Sequence, residues 1–224
     1  MQKTLLSWSS GKDSAWALHV LRGRSDVEVV GLFSTINEEF HRVAMHAVRV
    51  ELLLRQAVCL GFPIQLIPIP SPCSNVEYEA IMADFVRRAC RQGVESFAFG
   101  DLFLEDIRRY REDNLRDTGI APMFPIWGMP TAELAREMVG SGLRARITCV
   151  DPNQLGADFA GREYDASFLD ELPPGVDPCG ENGEFHSFAF DGPMFGEPVG
   201  IAVGETVSRD GFIFTDLIPA APPA

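Results

Sequence analysis

The sequence lacks the features that mark membrane-spanning, zinc-binding and nucleic-acid-binding proteins. It has no run of the roughly 20 apolar residues that cross a bilayer, and the short apolar run after Lys3 predicts no secretory leader. Its five cysteines form no CxxC pair, which argues against a zinc site and a thioredoxin-like motif. Its net charge of −13 argues against a nucleic-acid partner, which needs a basic face. These absences predict a soluble, cytoplasmic protein with reduced thiols.

The chain does have ample apolar residues and a regular alternation of strand-like and helix-like segments. Of its 224 residues, 46% are hydrophobic, which is enough for a buried core. In the first half, strand patterns cover residues 3–8, 27–35, 64–70 and 94–101, and helix patterns cover residues 14–23, 45–61, 75–93 and 105–119. This order predicts an α/β domain with a mainly parallel sheet and helices on both faces, as in Rossmann-like nucleotide-binding domains.

The pattern changes near the segment FPIWGMPT, where two prolines and a glycine interrupt the alternation. One further helix (131–142) and one strand (144–151) follow, after which glycine and proline become dense and the strands short. We therefore predict a domain boundary near residue 128. The prediction assigns residues 1–128 to the nucleotide-binding domain and residues 129–224 to a smaller α+β domain that binds substrate and takes part in catalysis.

Small hydroxyl residues, one glycine and two opposite charges gather directly after the first predicted strand. A Walker A loop is excluded because Leu6 stands where its first glycine belongs, and a GxGxxG motif is excluded because only one glycine is present. Small residues at a helix start still favour a phosphate bound by backbone amides. Lys12 is predicted to neutralise phosphate charge, and Asp13 to hold Mg²⁺ between phosphates. From spacing alone, a serine-rich helix cap explains these residues equally well. The predicted ligands are Ser9, Ser10, Gly11, Lys12, Asp13 and Ser14.

Two other strand ends carry candidate residues, because ligands bind parallel sheets at the carboxyl ends of the strands. Ser34 follows the second strand. Gly100 and Asp101 follow the fourth and are predicted to contact nucleotide or magnesium, with a simple turn as an equal alternative. We interpret RRYREDNLR at residues 108–116 as a solvated helix face with opposite-charge pairs, and His46 as a surface residue.

The segment SSGKDS resembles the PP-loop, usually SGGxDS, of the ATP pyrophosphatases in the adenine nucleotide alpha-hydrolase-like superfamily, whose domain is of the HUP type. Ser10 replaces the first glycine of the usual pair, and this replacement predicts no need for a positive φ there. A second string, CGENGEFH at residues 179–186 with DGP following, resembles the signature of the diphthine–ammonia ligase family. Further similarity lies in the strings at residues 99–112, 124–128 and 147–151, so the resemblance covers most of the chain.

The resemblance implies an ATP-dependent, amide-forming ligase. In that family a substrate carboxylate attacks the α-phosphate of ATP, pyrophosphate leaves, and ammonia converts the acyl-adenylate into an amide, with Mg²⁺ as a further cofactor. The implied acceptor is diphthine, a modified histidine of the translocation elongation factor, or another carboxylate. The related fold implies that Ser34 lies beside the adenine. The implied catalytic residues are Lys12, Asp13, Glu181, Glu184 and His186.

The residues alone leave several alternatives open. A glycine-rich hairpin whose acids face water explains the second string without any chemistry. Cys179 is interpreted as a buried thiol and not as a nucleophile. The chain as a whole also fits a PP-loop transferase that thiolates transfer RNA, although such proteins commonly have paired cysteines and a basic surface, or a non-catalytic ATP- or AMP-binding protein. A homodimer is left open.

Overall fold

The computed structural model of the chain describes residues 1–39, 42, 43 and 48–221. The first half contains β1 (Gln2–Ser7), α1 (Lys12–Arg22), β2 (Val27–Asn37), β3 (Arg42–Val43), α2 (Val50–Leu60), β4 (Ile64–Ile69), α3 (Asn75–Arg91), β5 (Ser96–Ala98), α4 (Glu105–Leu115) and β6 (Ala121–Met123). The second half contains α5 (Thr131–Gly140), β7 (Arg144–Val150), a 3₁₀ turn (Ala157–Phe159), α6 (Ala166–Glu171), β8 (Phe185–Asp191), β9 (Ile201–Arg209) and β10 (Phe212–Pro219).

The first sheet confirms the predicted Rossmann-like α/β architecture. Its parallel strands lie in the order β4-β2-β1-β5-β6, and the two-residue strand β3 adds an antiparallel pairing to the end of β2. The chain moves outward to one side of β1 and then returns to the other side, so the strand order reverses between β1 and β5. In such sheets the crevice at this reversal is where ligands bind.

The helices of the first half follow their sequence signals closely. The helix α3 begins with a capping box in which Ser74 and Glu77 bond reciprocally, and α2 ends at Gly61, whose φ of +75° closes the helix. The helix α2 starts at Val50, and the predicted helical residues 45–47, which include His46, lie outside the described part of the chain. Sequence patterns do not predict β6, because a three-residue strand with a central proline is too short to show a period.

The second sheet is antiparallel, in the order β8-β7-β10-β9, and it confirms the predicted change of architecture in the second half. The largest hydrophobic cluster joins both sheets, because Leu6 of β1 and Trp16 of α1 belong to the same buried group as Ile147 of β7 and Phe188 of β8. This shared core holds β8 against the start of α1. Within the described ranges, no helix is long and apolar enough to cross a membrane.

Candidate functional site

The turn between β1 and α1 carries the predicted phosphate loop. Gly11 precedes α1 with an extended backbone (φ −83°, ψ 170°) and has no side-chain cap of its own. The cap comes instead from β8, where the Ser187 hydroxyl lies 3.2 Å from the backbone amide of Lys12. Within the loop, the Ser9 hydroxyl bonds the Ser14 hydroxyl at 3.2 Å, and Ser14 Oγ donates to the Gly11 carbonyl at 2.9 Å. A strand of the second sheet therefore completes the helix start at which an anion would bind.

Ser10 has a φ of +70°, so the prediction that serine removes the need for a positive φ is wrong. The path of the loop demands the left-handed conformation whichever side chain is present, and a residue with a Cβ adopts it at a cost of about 1–2 kcal/mol. The Ser10 carbonyl accepts two hydrogen bonds, from the Ala189 amide at 2.9 Å and from Gln56 Nε2 at 3.0 Å. Its hydroxyl is buried and has no hydrogen-bond partner among the described residues.

Gly100, at the end of β5, packs directly on the first turn of α1. A Cβ at this position would lie 3.0 Å from the carbonyl carbon of Asp13 and from the amide nitrogen of Ser14. Real Cβ atoms rarely come this close to another backbone, so a side chain at this position would push the end of β5 away from the phosphate loop. Gly100 is predicted from the sequence to contact nucleotide or magnesium, and its packing on α1 gives a steric reason for glycine at this position.

Lys12 is fully enclosed, with 2% of its surface exposed. Its ammonium lies 2.8 and 3.0 Å from the carboxylate oxygens of Asp13, contacts the carbonyl of Cys179, and stands about 5 Å from the ring centroids of Tyr164 and Phe185. Burial by itself lowers the pKa of Lys12, but the Asp13 carboxylate raises it, and the net direction is upward. The lysine is therefore charged, and it ties the loop to the second half of the chain.

Glu184 is a buried carboxylate whose described contacts all lie within its own turn. Its two oxygens accept hydrogen bonds from the Asp177 amide (2.9 Å), the Asn182 amide (2.9 Å) and the Asn182 side chain (3.0 Å). Asp177 in turn accepts the Glu181 amide at 2.9 Å. These bonds fix the shape of residues 177–184, so Glu184 has a clear structural task, and its predicted catalytic role stays a prediction.

Glu181 points from this turn towards the end of β5. Its carboxylate accepts a 2.8 Å hydrogen bond from the backbone amide of Leu102. Burial raises the pKa of Glu181 to about 7, the Leu102 hydrogen bond lowers it, and the negative charge of Asp13 adds to the rise. Glu181 thus changes its protonation state near neutral pH, which suits a group that accepts a proton during a reaction.

His186 and Cys179 flank the same turn and are both uncharged at neutral pH. Burial, with the nearby charge of Lys12, lowers the pKa of His186 to about 4. Burial raises the pKa of the Cys179 thiol to about 12, and its sulfur lies 3.6 Å from the Thr131 carbonyl. Such a thiol is a poor nucleophile, in agreement with the interpretation of Cys179 as a buried small side chain.

A groove of about 800 Å³ opens beside the phosphate loop, between α3 and α4. Ser9 of the loop and Ser34 within β2 line the groove, and α3 lines it from Tyr78 to Arg91. The rise of about 1.5 Å per residue along this part of α3 gives a length of roughly 20 Å. Its volume lies in the usual range for small-molecule sites, and a large share of its lining is apolar or aromatic.

Arg111, which lines this groove, forms a bidentate ion pair with Asp101. Its Nε lies 2.5 Å from Asp101 Oδ2, and its Nη2 lies 3.1 Å from Asp101 Oδ1. The Arg111 guanidinium also lies over the ring of Phe99, 4.3 Å from its centroid. The interpretation of residues 108–116 as a solvated face with opposite-charge pairs holds for Arg108, which pairs with Glu112. Arg111 also pairs with an opposite charge, that of Asp101, and it lines the groove as well.

Gln56 of α2 is a residue that sequence reasoning misses. It is fully buried and bonds Trp8, Ser10 and the Ala189 carbonyl. The signal that could have found it is its position: it lies on the apolar stripe of α2, four residues after Leu52, where a polar side chain is costly unless it is fully hydrogen-bonded.

The structure brings most of the predicted site residues to one crevice. Gly100 packs on Asp13 and Ser14 of the loop, and Glu181 bonds the amide of Leu102, two residues after Gly100. Ser34 lines the adjoining groove, and Asp101 bonds Arg111, which also lines it. Among the described residues, no group of three or more His, Cys, Asp or Glu is placed to hold a metal ion.

Comparison with known proteins covers both halves of the chain. The family model of the diphthamide synthase N-terminal domain matches residues 2–122, and that of the C-terminal domain matches residues 130–214. The diphthine–ammonia ligase of Bos taurus is 26% identical over 180 residues, covering 78% of this chain and 67% of that protein. The Homo sapiens protein of the same name is 27% identical over 180 residues, covering 77% of this chain and 67% of that protein. The Danio rerio protein of the same name is 34% identical over 120 residues, covering 49% of this chain and 46% of that protein. With both domain models matched in order, the chain belongs to the diphthamide synthase family.

Proposed function

We propose that this chain is an ATP-dependent ligase that adenylates a carboxylate, releases pyrophosphate and then transfers ammonia to the acyl group. The observation that carries the proposal is the direct contact between the phosphate loop and residues 179–186. Lys12 bonds the Cys179 carbonyl, and Glu181 bonds the amide of Leu102 beside Gly100. A base from the second half of the chain is therefore close to the phosphate loop. The relatives named as ligases support the same enzyme class for this chain.

The phosphates of ATP are assigned to the loop and to the start of α1. The helix N-terminus favours anions, and the buried Ser10 hydroxyl offers a donor that has no partner among the described residues. The adenosine is assigned to the groove between α3 and α4, which is lined in part by Ser34 and Thr35. This orientation leaves the α-phosphorus between the loop and Glu181.

Magnesium is assigned to Asp13 together with ATP. Mg²⁺ is usually held by one or two carboxylates plus substrate phosphates and waters, so a lone carboxylate at a phosphate loop fits it. The Asp13 side chain is partly accessible, with 25% of its surface exposed. When bound, Mg²⁺ neutralises charge on the phosphates and on the leaving pyrophosphate. Lys12 holds the Asp13 carboxylate in place through two hydrogen bonds. It therefore supports the magnesium site whether or not its ammonium contacts a phosphate.

The reaction has two balanced steps. A carboxylate oxygen of the acceptor attacks the α-phosphorus, the bond to the β-phosphate oxygen breaks, and pyrophosphate leaves with both electrons. The ammonia nitrogen then attacks the acyl carbon, and AMP leaves. Glu181, with a pKa of about 7, takes the proton that the new carbon–nitrogen bond releases. His186 serves as a neutral hydrogen-bonding group, because its pKa of about 4 keeps it uncharged.

For the acceptor we propose diphthine on the elongation factor, in line with the name of the relatives. The net charge of −13 suits a substrate that carries a trimethylammonium group, because opposite charge favours encounter. Such a substrate places the reaction in the cytoplasm. A different carboxylate is the alternative acceptor, and it would leave the adenylation chemistry unchanged.

Product analysis tests the proposal. The protein is incubated with ATP, Mg²⁺ and ammonium, with and without elongation factor that carries diphthine, and the nucleotides are separated. The expected products are AMP, pyrophosphate and diphthamide, all dependent on the acceptor. ADP and phosphate would contradict the proposal, and tight ATP binding without turnover on any carboxylate would favour a non-catalytic nucleotide-binding protein. Turnover with another carboxylate, but not with diphthine, would retain the ligase and reject the acceptor.

A further inference from the structure

We propose that Gln56 is a positioning residue that holds the phosphate loop in its left-handed conformation and ties it to β8. The claim about the loop stands on the geometry of the free protein. Its consequence for nucleotide affinity rests on the proposed function.

The Gln56 amide has a full set of fixed partners. Its Oε1 accepts the indole N–H of Trp8 at 2.8 Å, and its Nε2 donates to the carbonyl of Ser10 at 3.0 Å and to that of Ala189 at 2.6 Å. An indole nitrogen can only donate, so Trp8 fixes which end of the amide is oxygen. Both N–H groups are then directed to backbone carbonyls. A fully buried glutamine is tolerated on the apolar stripe of α2 because all of these bonds are made.

One of the two carbonyls that Gln56 binds belongs to Ser10, the residue of the loop that has a positive φ. Ser10 has its φ of +70°, and its carbonyl is held by Gln56 on one side and by the Ala189 amide on the other. Rotation of Ser10 to a negative φ would turn this carbonyl and break both bonds. The peptide that carries the carbonyl also carries the amide of Gly11, so the clamp fixes the first amide of the predicted phosphate site.

The same side chain connects the two sheets. Ala189 lies on β8, and both its amide and its carbonyl belong to the clamp. Two residues earlier, Ser187 caps the Lys12 amide. Gln56 therefore fixes the position of the loop relative to β8, the strand that follows the Glu181 turn. A hydrogen bond between two residues of the first half of the chain would not fix this relative position.

The test compares Gln56→Met, which keeps the length of the side chain and removes its three hydrogen bonds, in two backgrounds. The first is the wild-type chain and the second is Ser10→Gly, where a positive φ carries no steric cost. We expect Gln56→Met to weaken Mg·ATP binding about 10-fold in the wild-type background and less than about 3-fold in the Ser10→Gly background. Gln56→Glu, assayed at pH 8, keeps the acceptor for Trp8, loses both donors, and is expected to behave in the same way.

Calorimetry measures the affinity, and amide hydrogen exchange measures the loop in the free protein. The proposal is supported if the amides of Lys12 and Ala189 exchange faster in both Gln56 variants than in the wild type. It also requires that adding Ser10→Gly to each Gln56 variant slows this exchange again. Equal losses of affinity in the two backgrounds, or unchanged exchange, would overturn it. If the wild-type chain binds no ATP, the proposed function fails, and the exchange data still decide the role of Gln56.

The control is Ser96→Ala, which removes a buried 2.6 Å hydrogen bond to Thr4 in the same sheet and away from the loop. It is expected to lower the free energy of unfolding and to leave the ATP affinity unchanged. If Ser96→Ala weakens ATP binding in proportion to its loss of stability, as Gln56→Met does, then Gln56 acts only through general stability and the proposal is wrong.

Discussion

The backbone amide of Leu102 donates a 2.8 Å hydrogen bond to the carboxylate of Glu181, 79 residues further along the chain. Leu102 follows Gly100, which packs on the phosphate loop, and Glu181 belongs to the turn that Lys12 holds. One hydrogen bond thus joins the carboxyl end of the first sheet to the turn before β8. Each half of the chain supplies part of the candidate site, and neither half contains a complete one.

The raised pKa of Glu181 makes a prediction about stability. Its pKa is about 7 in the folded chain and near the ordinary 4.5 when unfolded, so the wild type loses stability as pH rises from 4.5 to 7. Glu181→Gln removes the buried charge and can still accept the Leu102 amide. It should raise the free energy of unfolding by about 1–2 kcal/mol at pH 8 and leave it nearly unchanged at pH 4.5. Urea unfolding at both pH values measures this.

Two further results bear on Glu181. Glu171→Gln is the control, because the hydrogen bond from Arg162 lowers the pKa of Glu171. Removal of the Glu171 carboxylate should therefore not raise the free energy of unfolding at pH 8. If wild type and Glu181→Gln have the same free energy of unfolding at pH 8, then burial of the ionised Glu181 carboxylate does not destabilise the fold. In the ligase reaction, kcat of the wild type should rise with pH through about 7, as expected of a base that must be ionised, and the Gln variant should lose this dependence.

The close packing of Gly100 predicts that alanine is destabilising there. A Cβ would meet the backbone of Asp13 and Ser14 at 3.0 Å, and backbone cannot move aside as a flexible side chain can. Gly100→Ala should therefore cost about 1–3 kcal/mol of stability and weaken ATP binding, since it displaces the first turn of α1. Gly140→Ala on α5 is the matched control, because a Cβ there meets nothing within 4 Å and alanine favours helix. Similar behaviour of the two variants would refute the packing argument.

The α/β class of the first half and its mainly parallel sheet could be predicted from sequence because the signals for each strand and helix are local. A strand pattern followed by a helix pattern repeats four times, and this alternation favours parallel strands with helices on both faces. The strand order and the short strand β6 do not follow from these patterns. The phosphate loop could be found because its signal is local as well. The φ of Ser10 could not, because it is imposed by partners at Gln56 and Ala189 that lie far away in sequence. The sequence names the loop residues, but tertiary contacts decide their conformation.

The roles of charged residues were also beyond local patterns. Glu181 and Glu184 look alike in the string CGENGEFH, yet one reaches Leu102 across the crevice and the other closes its own turn. Arg111 looks like its neighbours on α4, but Asp101 holds it in the groove. The different contacts of Glu181 and Glu184 depend on the path of the turn at residues 177–184. That path depends in turn on the core that both sheets share.

The high pKa of Cys179 predicts an unreactive thiol. At pH 8, with a pKa of about 12, only about one molecule in ten thousand carries the thiolate. Iodoacetamide should therefore label the more exposed Cys73 first and leave Cys179 unmodified in the folded protein, as peptide mass analysis would reveal. Cys179→Ala should keep pyrophosphate release within a few fold of wild type. A loss of several hundredfold in a well-folded Cys179→Ala protein would point to covalent catalysis instead.

The enclosed position of Lys12 predicts two separate effects of its removal. Lys12→Met leaves the Asp13 carboxylate and the Cys179 carbonyl without their cation, and should lower the free energy of unfolding by about 3 kcal/mol. The control Arg24→Met breaks an exposed pair with Asp26 and should change stability by no more than about 0.5 kcal/mol. Calorimetry on the folded fraction then separates the roles of the lysine. If ATP still binds with wild-type affinity once unfolding is accounted for, Lys12 acts by joining the loop to residues 179–186. If affinity also falls by more than tenfold, its charge is needed at the phosphates, as the sequence predicts.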